Sequence, residues 1–273
     1  MPYEQFFKYA LALIEKELRR LLRAQETRPI SIHKAMQYAI FTGGKRFRPV
    51  LALSACEACG GKPQEALRAA LSIELIHTYS LVHDDLPALD NDDMRRGKPT
   101  CHKKFGEANA ILTGDALLTL AFELAAGIQP AEKAVQVLYE IARAAGTHGM
   151  IGGQVADLEA PARQKTLAEH DFISRYKTGA LIRVSARAGA IAGGASVREL
   201  KAITRYGECL GLAFQVVDDI LDEDGFCKTM SVRAAKAKAV RLIAQAKKEA
   251  KIVGRKAKAL VFLADFLEER IPA

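Results

Sequence analysis

Apolar positions along this chain recur every three to four residues, as on one face of an amphipathic helix, and no run alternates strictly as a half-buried strand would. Glycine and proline separate the helical stretches, with no long linker between them. The pattern predicts a single all-α domain over residues 1–273, a bundle of about 10–13 helices. The predicted helices cover 3–25, 31–42, 47–59, 64–85, 107–127, 131–146, 148–158, 166–177, 179–193, 197–223, 231–251 and 255–270.

The most apolar window, residues 110–128, contains two charged residues, Asp115 and Glu123. Such a window is either a membrane span or a helix inside a protein, and the charges favour a helix buried on all sides. Asp115 then needs a partner, because a buried unpaired carboxylate is very costly. The N-terminal apolar stretch is also interrupted by charges, so neither a signal peptide nor membrane insertion is expected.

The formal net charge of +8 is concentrated near the C-terminal end. Residues 231–273 contain 11 Lys or Arg and 4 Asp or Glu, interleaved with apolar residues at helical spacing. This arrangement favours a solvated helix face over a polyanion-binding tail, so no nucleic-acid partner is expected. Five cysteines at irregular spacing argue against a disulfide framework and favour a reducing, cytoplasmic location.

Two acidic clusters, residues 84–90 and 218–222, each end an apolar helical stretch. A helix C-terminus carries about half a unit of negative charge, so each Asp there is disfavoured by about 0.3–1 kcal/mol unless a cation is near. A few Asp oxygens without a full oxygen cage suit Mg2+, which keeps waters and completes its shell with substrate phosphates. The clusters therefore predict a Mg2+ site that binds a diphosphate.

In the first cluster, Pro87 disfavours helix at the preceding residue, so the helix is expected to stop at Asp84 and Asp85. Asp90 lies beyond this break and is expected to converge with them from a loop. An arginine pair at 95–96 follows, and guanidinium groups match phosphate oxygens well. The alternative is a surface loop whose acidic and basic residues pair with one another.

The second cluster keeps helical spacing, which places Asp218 and Asp222 on one face and Gln215 one turn before Asp218 and Asp219. Gly225 suits the left-handed position after a helix C-terminus. Neither cluster has the alternating ligands, central Gly and late Glu of an EF-hand calcium loop.

Further cations lie near predicted turns. A glycine pair precedes three cations in residues 43–48, which indicates either an anion cradle or an ordinary basic turn. Lys177 and Thr178 are expected between two helices, at a helix N-terminus. His77 lies two turns before Asp84, either as a structural hydrogen bonder or facing the same helix end.

Together these motifs resemble those of the trans-isoprenyl diphosphate synthases, in particular the bacterial short-chain enzymes of the farnesyl diphosphate synthase type. The resemblance runs from about residue 35 to residue 224. Its five motifs, in the family's order, are Gly43-Gly44-Lys45-Arg46-Phe47-Arg48-Pro49, Asp84-Asp85 with four residues before Asp90, Arg95-Arg96-Gly97-Lys98-Pro99, Lys177-Thr178-Gly179 and Phe214-Gln215-Val216-Val217-Asp218-Asp219-Ile220-Leu221-Asp222. The resemblance implies the isoprenoid synthase fold around a deep central cavity, a homodimer and three Mg2+ ions.

The same resemblance implies a role for each matching residue. The Mg2+ ligands would come from opposite walls: Asp84, Asp85 and Asp90 on one, and Asp218, Asp219 and Asp222 on the other. The diphosphate-binding residues would be Arg95, Lys177, Thr178 and Gln215 for the allylic substrate, and Lys45, Arg48, His77 and Arg96 for isopentenyl diphosphate. Tyr79, with Ser80, would form an aromatic floor that stops the product at fifteen carbons.

The implied activity is a short-chain prenyltransferase that condenses isopentenyl diphosphate with dimethylallyl or geranyl diphosphate to give farnesyl diphosphate. The alternatives are a geranyl or geranylgeranyl diphosphate synthase and a non-catalytic subunit of the same fold. The chain departs from the family after Gly225, where members usually continue with a longer loop that carries Gly-Lys and a further Asp and Lys and helps close the site. Lys228 is the only nearby substitute.

Overall fold

The computed structural model describes residues 3–23, 28–160 and 165–272, and this part of the chain is all-α, as predicted. The C-terminal end of the first predicted helix, residues 24–25, lies outside the described residues. The first helices are α1 Tyr3–Leu21, α2 Ile30–Phe41, α3 Phe47–Ala58, α4 Leu67–Asp84, α5 Cys101–Phe105, α6 Glu107–Ala126, α7 Ala131–Ala145 and α8 Met150–Glu159. The others are α9 Leu167–Ile173, α10 Ala180–Ala192, α11 Val197–Asp222, α12 Phe226–Thr229, α13 Val232–Val253 and α14 Lys258–Glu268.

Four short segments complete the described structure. Two are 3-10 turns, one is a π-helical turn between α9 and α10, and two strands form an antiparallel hairpin. Their bounds are Pro63–Ala66 and Arg255–Ala257 for the 3-10 turns, Ser174–Gly179 for the π turn, and β1 Met94–Arg95 with β2 Lys98–Pro99 for the hairpin. The hairpin, α5 and α12 were not predicted, because elements of two to five residues are too short to give a periodic signal.

The central helix of the bundle is α10. Eleven of its 13 residues are buried, and α3, α4, α7 and α11 all pack against it. A sequence that is apolar nearly all round is typical of such a position. Arg187 is one of the two exceptions, and its Nε donates to Glu140 of α7 at 2.9 Å. The centre of the fold is therefore a buried helix that is anchored sideways by an ion pair.

Two helix-interior glycines allow backbones to approach closely around this centre. A Cβ added to Gly189 of α10 would lie 2.0 Å from the carbonyl oxygen of Ala52 in α3. A Cβ added to Gly153 of α8 would lie 2.2 Å from the backbone nitrogen of Lys177 in the π turn. Both distances are shorter than any real Cβ contact, so α3 lies directly on α10 and α8 lies directly on the π turn.

The helical run near residue 178 differs from the prediction. The sequence predicts a break between 177 and 179, whereas α9, the π turn and α10 form one continuous run over 167–192. The physical reason is that Gly179 keeps a helical conformation, with φ −66° and ψ −32°, and does not break the helix. Lys177 and Thr178 therefore project from inside a helix, at a π turn of the kind that often marks functional sites.

The surface of α6 contradicts its predicted burial on all sides. Only 33% of its apolar window is buried, and Ile111 and Leu112 are 46% and 56% exposed. Asp115 lies on the exposed side, so it needs no buried partner. The composition of a helix shows that it is apolar, but it does not show which of its faces the rest of the chain covers. By length and composition α6 could cross a membrane, but this is a weak indication because core helices pass the same test.

Candidate active site

A cavity of about 390 Å³ lies between α4, α8, the π turn and α10. Its lining is mostly apolar and includes Ile151 and Val155 of α8. Three charged side chains, Arg48, Asp84 and Lys177, line the same space. The volume falls in the range of about 300–1,000 Å³ that is common for small-molecule pockets. This combination suits an amphiphile with an anionic head and a hydrocarbon tail.

The first acidic cluster lies where α4 ends. Pro87 follows the last helical residue, Asp84, as predicted. The backbone N–H of Asp90 donates to the Asp84 carbonyl at 2.9 Å, so both residues lie at the same helix end. Burial raises the pKa of Asp84 to about 6, while Lys177 lowers it and Asp90 raises it further. Asp84 is therefore a carboxylate that the protein alone neutralises poorly.

Asp85 and Arg95 pair with each other. The Nε of Arg95 donates to Oδ1 of Asp85 at 2.6 Å, and its Nη2 lies 3.4 Å from Asp92. Asp85 is only 3% exposed, so the pair is sheltered from water. Asp85 therefore already has an ion-pair partner, and the convergence of Asp84, Asp85 and Asp90 on Mg2+ stays a prediction. Arg95 thus pairs with both Asp85 and Asp92, which is the alternative stated above for this loop.

Arg46, the middle cation of the basic turn, is an internal residue. It is 5% exposed and forms ion pairs with Glu74 at 2.9 Å and Glu15 at 2.8 Å. Its Nη2 also donates to the Ile40 carbonyl at 2.7 Å. These contacts fix the turn between α2 and α3, where Arg46 itself has a left-handed φ of 50°. Of the three cations in this turn, the exposed Lys45 and the cavity-lining Arg48 remain for ligand binding.

Arg48 and His77 line the cavity from α3 and α4. The Nε of Arg48 is buried and has no hydrogen-bond partner among the described residues. Burial, with Arg48 and Arg96 nearby, lowers the pKa of His77 well below its usual value, so this imidazole is neutral near pH 7. Arg96 donates to the carbonyl of Gly43 in the same basic turn. Since an unpaired buried N–H is costly, an anionic acceptor at Arg48 would be stabilising.

The second acidic cluster ends α11. Glu223 takes the left-handed conformation directly after this helix, and Gly225, two residues further on, also has a positive φ of 51°. Asp219 is nearly buried, and its two oxygens are already occupied: Oδ1 accepts from Gln215 at 2.7 Å and Oδ2 accepts from the Phe226 N–H at 2.8 Å. Asp219 therefore holds the start of α12 in addition to any role in ligand binding.

Asp218 pairs with a residue that none of the motifs contains. Arg270, which follows α14, donates from Nη2 to Oδ1 of Asp218 at 2.8 Å. Burial raises the pKa of Asp218 and Arg270 acts in the opposite direction. Thr178, which lines the cavity, donates to Gln215, and Gln215 donates to Asp219, so the second cluster lies beside the cavity lining. Arg270 and Asp218 are 52 residues apart in sequence, so no local spacing could predict their contact.

The π turn connects α8 with α11. Lys177 donates to Asp157 of α8 at 2.8 Å, and Thr178 donates to Gln215 of α11 at 2.7 Å. Asp157 lies outside the predicted site set. Burial alone would raise the pKa of Asp157, but hydrogen bonds from Lys165 and Lys177 lower it. The predicted allylic-binding residues 177 and 178 are thus oriented by neighbours on both sides.

Tyr79 and Ser80 line the same cavity as Asp84. The Tyr79 ring is 5% exposed and packs edge-on against His83, with ring centroids 5.8 Å apart. Its hydroxyl is buried and has no hydrogen-bond partner in the described part of the chain. The ring therefore reaches the cavity wall, and its effect on product length stays a prediction.

Comparison with known proteins matches residues 30–249 to the protein family described as Polyprenyl synthetase. The chain belongs to the polyprenyl synthetase family. It is 47% identical over 229 residues to the farnesyl diphosphate synthase of Geobacillus stearothermophilus, which covers 82% of this chain and 77% of that relative. It is 48% identical over 214 residues to geranylgeranyl pyrophosphate synthase 4 of Arabidopsis thaliana, which covers 77% of this chain and 58% of that relative.

Solved structures of similar proteins share the polyprenyl synthetase architecture along the whole chain. The crystal structure of an FPP/GFPP synthase from Zymomonas mobilis matches with a TM-score of 0.91 at 35% identity and covers 97% of this chain and 98% of that one. The geranyltransferase from Legionella pneumophila also matches with a TM-score of 0.91 at 35% identity, over 98% and 96% of the two chains. The all-α isoprenoid synthase fold is thereby confirmed, and the protein is a prenyltransferase.

The acidic residues of this polyprenyl synthetase suit Mg2+ by their chemistry. No three His, Cys, Asp or Glu side chains within residues 3–23, 28–160 and 165–272 lie close enough together to hold a metal ion. Arginines pair with two of the predicted ligands, Asp85 and Asp218. Asp84, whose pKa burial raises, is the donor that a bound cation would stabilise most, and Asp90 and the exposed Asp222 offer further oxygens. The oxygen chemistry of these residues therefore suits Mg2+, although they do not form a preassembled cluster in the described part of the chain.

Replacing Asp84 by Asn is expected to stabilise the metal-free polyprenyl synthetase. The pKa of Asp84 is about 6 in the folded protein and 3.8 in the reference state, so folding favours the protonated form and stability falls as pH rises from about 4 to 6. After allowance for solvent screening, Asp84→Asn should gain about 1–2 kcal/mol at pH 7.5 and nothing at pH 4. Urea unfolding in EDTA at both pH values measures the difference.

Asp93→Asn serves as the control, because a hydrogen bond from Lys103 lowers the pKa of this exposed carboxyl. It should give no gain at either pH. Equal stability of Asp84→Asn and wild type at pH 7.5 would contradict the view that Asp84 is a poorly neutralised carboxylate.

Proposed function

We propose that this polyprenyl synthetase is a Mg2+-dependent, single-domain enzyme that condenses isopentenyl diphosphate with dimethylallyl or geranyl diphosphate and releases mainly farnesyl diphosphate. The observation that carries the proposal is the cavity, in which Arg48, Asp84 and Lys177 share one space of about 390 Å³ with apolar side chains. The Tyr79 ring forms part of the wall and supports a product of fifteen carbons. Relatives are named for both farnesyl and geranylgeranyl products. In this proposal, the Tyr79 ring determines which of the two products the protein releases.

The proposed reaction begins with cleavage of the allylic C–O bond, which leaves a carbocation and places the bonding electrons on the departing diphosphate. Lys177 would stabilise that developing charge from an orientation set in advance by Asp157. Bound Mg2+ would supply further positive charge at the same oxygens. The apolar wall excludes water, and the double bond of isopentenyl diphosphate attacks the carbocation. A proton then leaves to the released diphosphate.

The second substrate is assigned to the basic turn and α4. Arg48 offers a buried N–H that lacks an acceptor within the described part of the chain, Arg96 adds positive charge nearby, and the exposed Lys45 lies in the same basic turn. His77 is neutral in this setting, so its contribution would be a hydrogen bond rather than a charge. This division leaves Arg95, Lys177, Thr178 and Gln215 for the allylic diphosphate.

A direct assay tests the proposal. The protein is incubated with dimethylallyl and isopentenyl diphosphates with and without Mg2+, and both released diphosphate and product chain length are measured. Farnesyl diphosphate as the main product, formed only with Mg2+, supports the proposal. A main product of ten or twenty carbons would contradict the farnesyl assignment, and binding without turnover would favour a non-catalytic subunit, the reading that the short segment after Gly225 suggests.

We also propose that two copies of the chain associate through α6 and α7. Val135 and Tyr139 of α7 are 66% and 60% exposed, and they add to the exposed Ile111 and Leu112 of the neighbouring α6. These large exposed apolar side chains belong to two packed helices, and exposed apolar surface of this kind can mark an interface. A second copy is the proposed occupant, because the resemblance to homodimeric synthases implies it and a two-fold dimer buries the same patch on both copies.

The double substitution Leu112→Lys with Val135→Lys is expected to shift the protein from dimer to monomer, because it would place four lysines in one buried apolar interface. Light scattering coupled to size-exclusion chromatography measures the mass. Val197→Lys, at an isolated residue of α11 that is 88% exposed, is the control and should remain dimeric. A wild-type protein with the mass of one chain, or a double variant that stays dimeric, would contradict this interface.

We infer a reducing, cytoplasmic location from the thiols. All five cysteines are free, and burial raises the pKa of Cys56 and of Cys59 to about 12. Such thiols are protonated and unreactive at neutral pH, so the Cys56–Cys59 pair supports packing rather than redox chemistry.

A further inference from the structure

Arg270, in the turn after α14, reaches the second acidic cluster. Its Nη2 donates to Oδ1 of Asp218 at 2.8 Å. Its guanidinium carbon lies 5.5 Å from the centre of the Phe214 ring, one turn before Asp218. The side chains of Arg270 and Asp218 are 21% and 31% exposed, so the pair is held partly out of water. Arg270 is therefore an ordered cation at the cavity-side end of α11.

No comparable cation comes from the short segment after Gly225. Lys228, the expected substitute for the missing loop lysine, lies 2.6 Å from Asp224 in its own segment, and both side chains are about 60% exposed. A pair this exposed contributes little and faces water. Arg270 is half-buried and contacts a predicted Mg2+ ligand directly. The turn after α14 thus provides a cation beside Asp218, and the short segment after Gly225 does not.

The pairing sets up a competition for Asp218. A Mg2+ ion bound to Asp218 would place a second cation within a few ångströms of the guanidinium of Arg270, and two positive charges at that distance repel each other. Binding of the ion would therefore displace Arg270. The displaced guanidinium would remain at the end of α11, beside any diphosphate held there, and its planar fork matches two phosphate oxygens.

We propose that Arg270 is a placeholder cation that holds Asp218 in the metal-free protein and moves to the allylic diphosphate when Mg2+ takes Asp218. The inference rests on the proposed function and deepens it, because it assigns an additional substrate-binding residue to the same site. It also explains how the site could close despite the short segment after Gly225, because Arg270 in the turn after α14 would supply the positive charge.

Calorimetric titration of Arg270→Gln tests the exchange with two probes. Mg2+ alone, titrated without any diphosphate, should bind about tenfold more tightly than to wild type, because its competitor is gone. Inorganic diphosphate, titrated in excess Mg2+, should bind about tenfold more weakly, because the guanidinium no longer contacts it. These opposite changes are the signature of a residue with two alternating partners.

Two further variants keep the result interpretable. Arg270→Lys preserves the charge but not the fork, so Mg2+ affinity should stay near that of wild type while diphosphate affinity falls by about threefold. Lys258→Gln removes one exposed positive charge from the start of α14, without contact to Asp218, and should change neither affinity. Circular dichroism in EDTA checks that each variant is folded.

The outcomes separate this inference from the proposed function. If wild type turns over substrate but Arg270→Gln shows unchanged or weaker Mg2+ binding, or unchanged diphosphate binding, the placeholder role is wrong and the proposed function stands. If wild type itself binds no diphosphate in the presence of Mg2+, the proposed function fails and this inference fails with it.

Discussion

Replacing either Asp84 or Asp218 by Ala is expected to lower turnover by about 10²–10³-fold, the scale for loss of one preorganised electrostatic contact. Asp84 ends α4 and lines the cavity, and Asp218 lies at the end of α11 beside the cavity lining. Under the proposed function, removing either carboxylate would take away one of the groups expected to hold Mg2+ against the diphosphate. Initial rates of diphosphate release at saturating substrates measure the effect.

Asp93→Ala is the matched control, since Asp93 lies in the same loop region but is 70% exposed and pairs with Lys103. Its turnover should stay within about twofold of wild type. Melting temperatures of all three variants separate loss of chemistry from loss of fold, and Asp84→Ala should melt no lower than wild type in EDTA. Wild-type turnover in either cluster variant would rule out a mechanism that uses both acidic clusters.

The second large effect is expected at Tyr79, where Ala or Met should shift the main product from fifteen carbons to twenty or more. Tyr79 precedes Asp84 by five residues, about 7.5 Å along the helix at ~1.5 Å per residue. Its ring is nearly buried and lines the cavity, so it limits the space for the growing hydrocarbon. A close-packed interior has no other room, and removal of the ring creates space for one more isoprene unit. Chromatography of the dephosphorylated products measures chain length.

Tyr79→Phe is the control for the hydroxyl group. The ring stays in place, and the hydroxyl has no hydrogen-bond partner among the described residues, so product length should not change. Tyr79→Met is the more conservative of the two truncations, because loss of a whole buried aromatic side chain costs about 3–5 kcal/mol of folding stability. An unchanged product from both truncations would show that another residue limits the chain.

Local features of the site could be predicted because their causes lie within a few residues. Pro87 stops α4 at Asp84, and helical spacing places Gln215 one turn before Asp219, where the two side chains form a hydrogen bond. The family motifs likewise lie in contiguous segments. Such features depend on backbone rules that a linear sequence displays directly.

Long-range pairing could not be predicted. Arg46 lies in the basic turn with Arg48, yet Glu74 holds it inside the protein, 28 residues away in sequence. In the same way, nothing near Asp85 in the sequence decides whether Arg95 faces it or a ligand. Oppositely charged groups pair when the fold brings them together, and only the packed structure shows which cations are left for substrate.

The exposure of α6 was mispredicted for a different reason. An apolar helix is expected inside a protein, but a face that another chain covers has the same composition as a face that its own chain covers. The sequence of one subunit does not distinguish the two cases. The structure of the single chain shows that its own residues leave Ile111 and Leu112 exposed.

The close backbone approaches at Gly153 and Gly189 limit how this protein can be engineered. A common route to a heat-resistant biocatalyst replaces helix-interior glycines with alanine, which often gains about 0.4–1 kcal/mol per site. Here the added methyl groups would collide with the π turn that carries Lys177 and with the carbonyl of Ala52. Process-oriented variants should therefore retain both glycines and take their gains from solvent-facing helix surfaces instead.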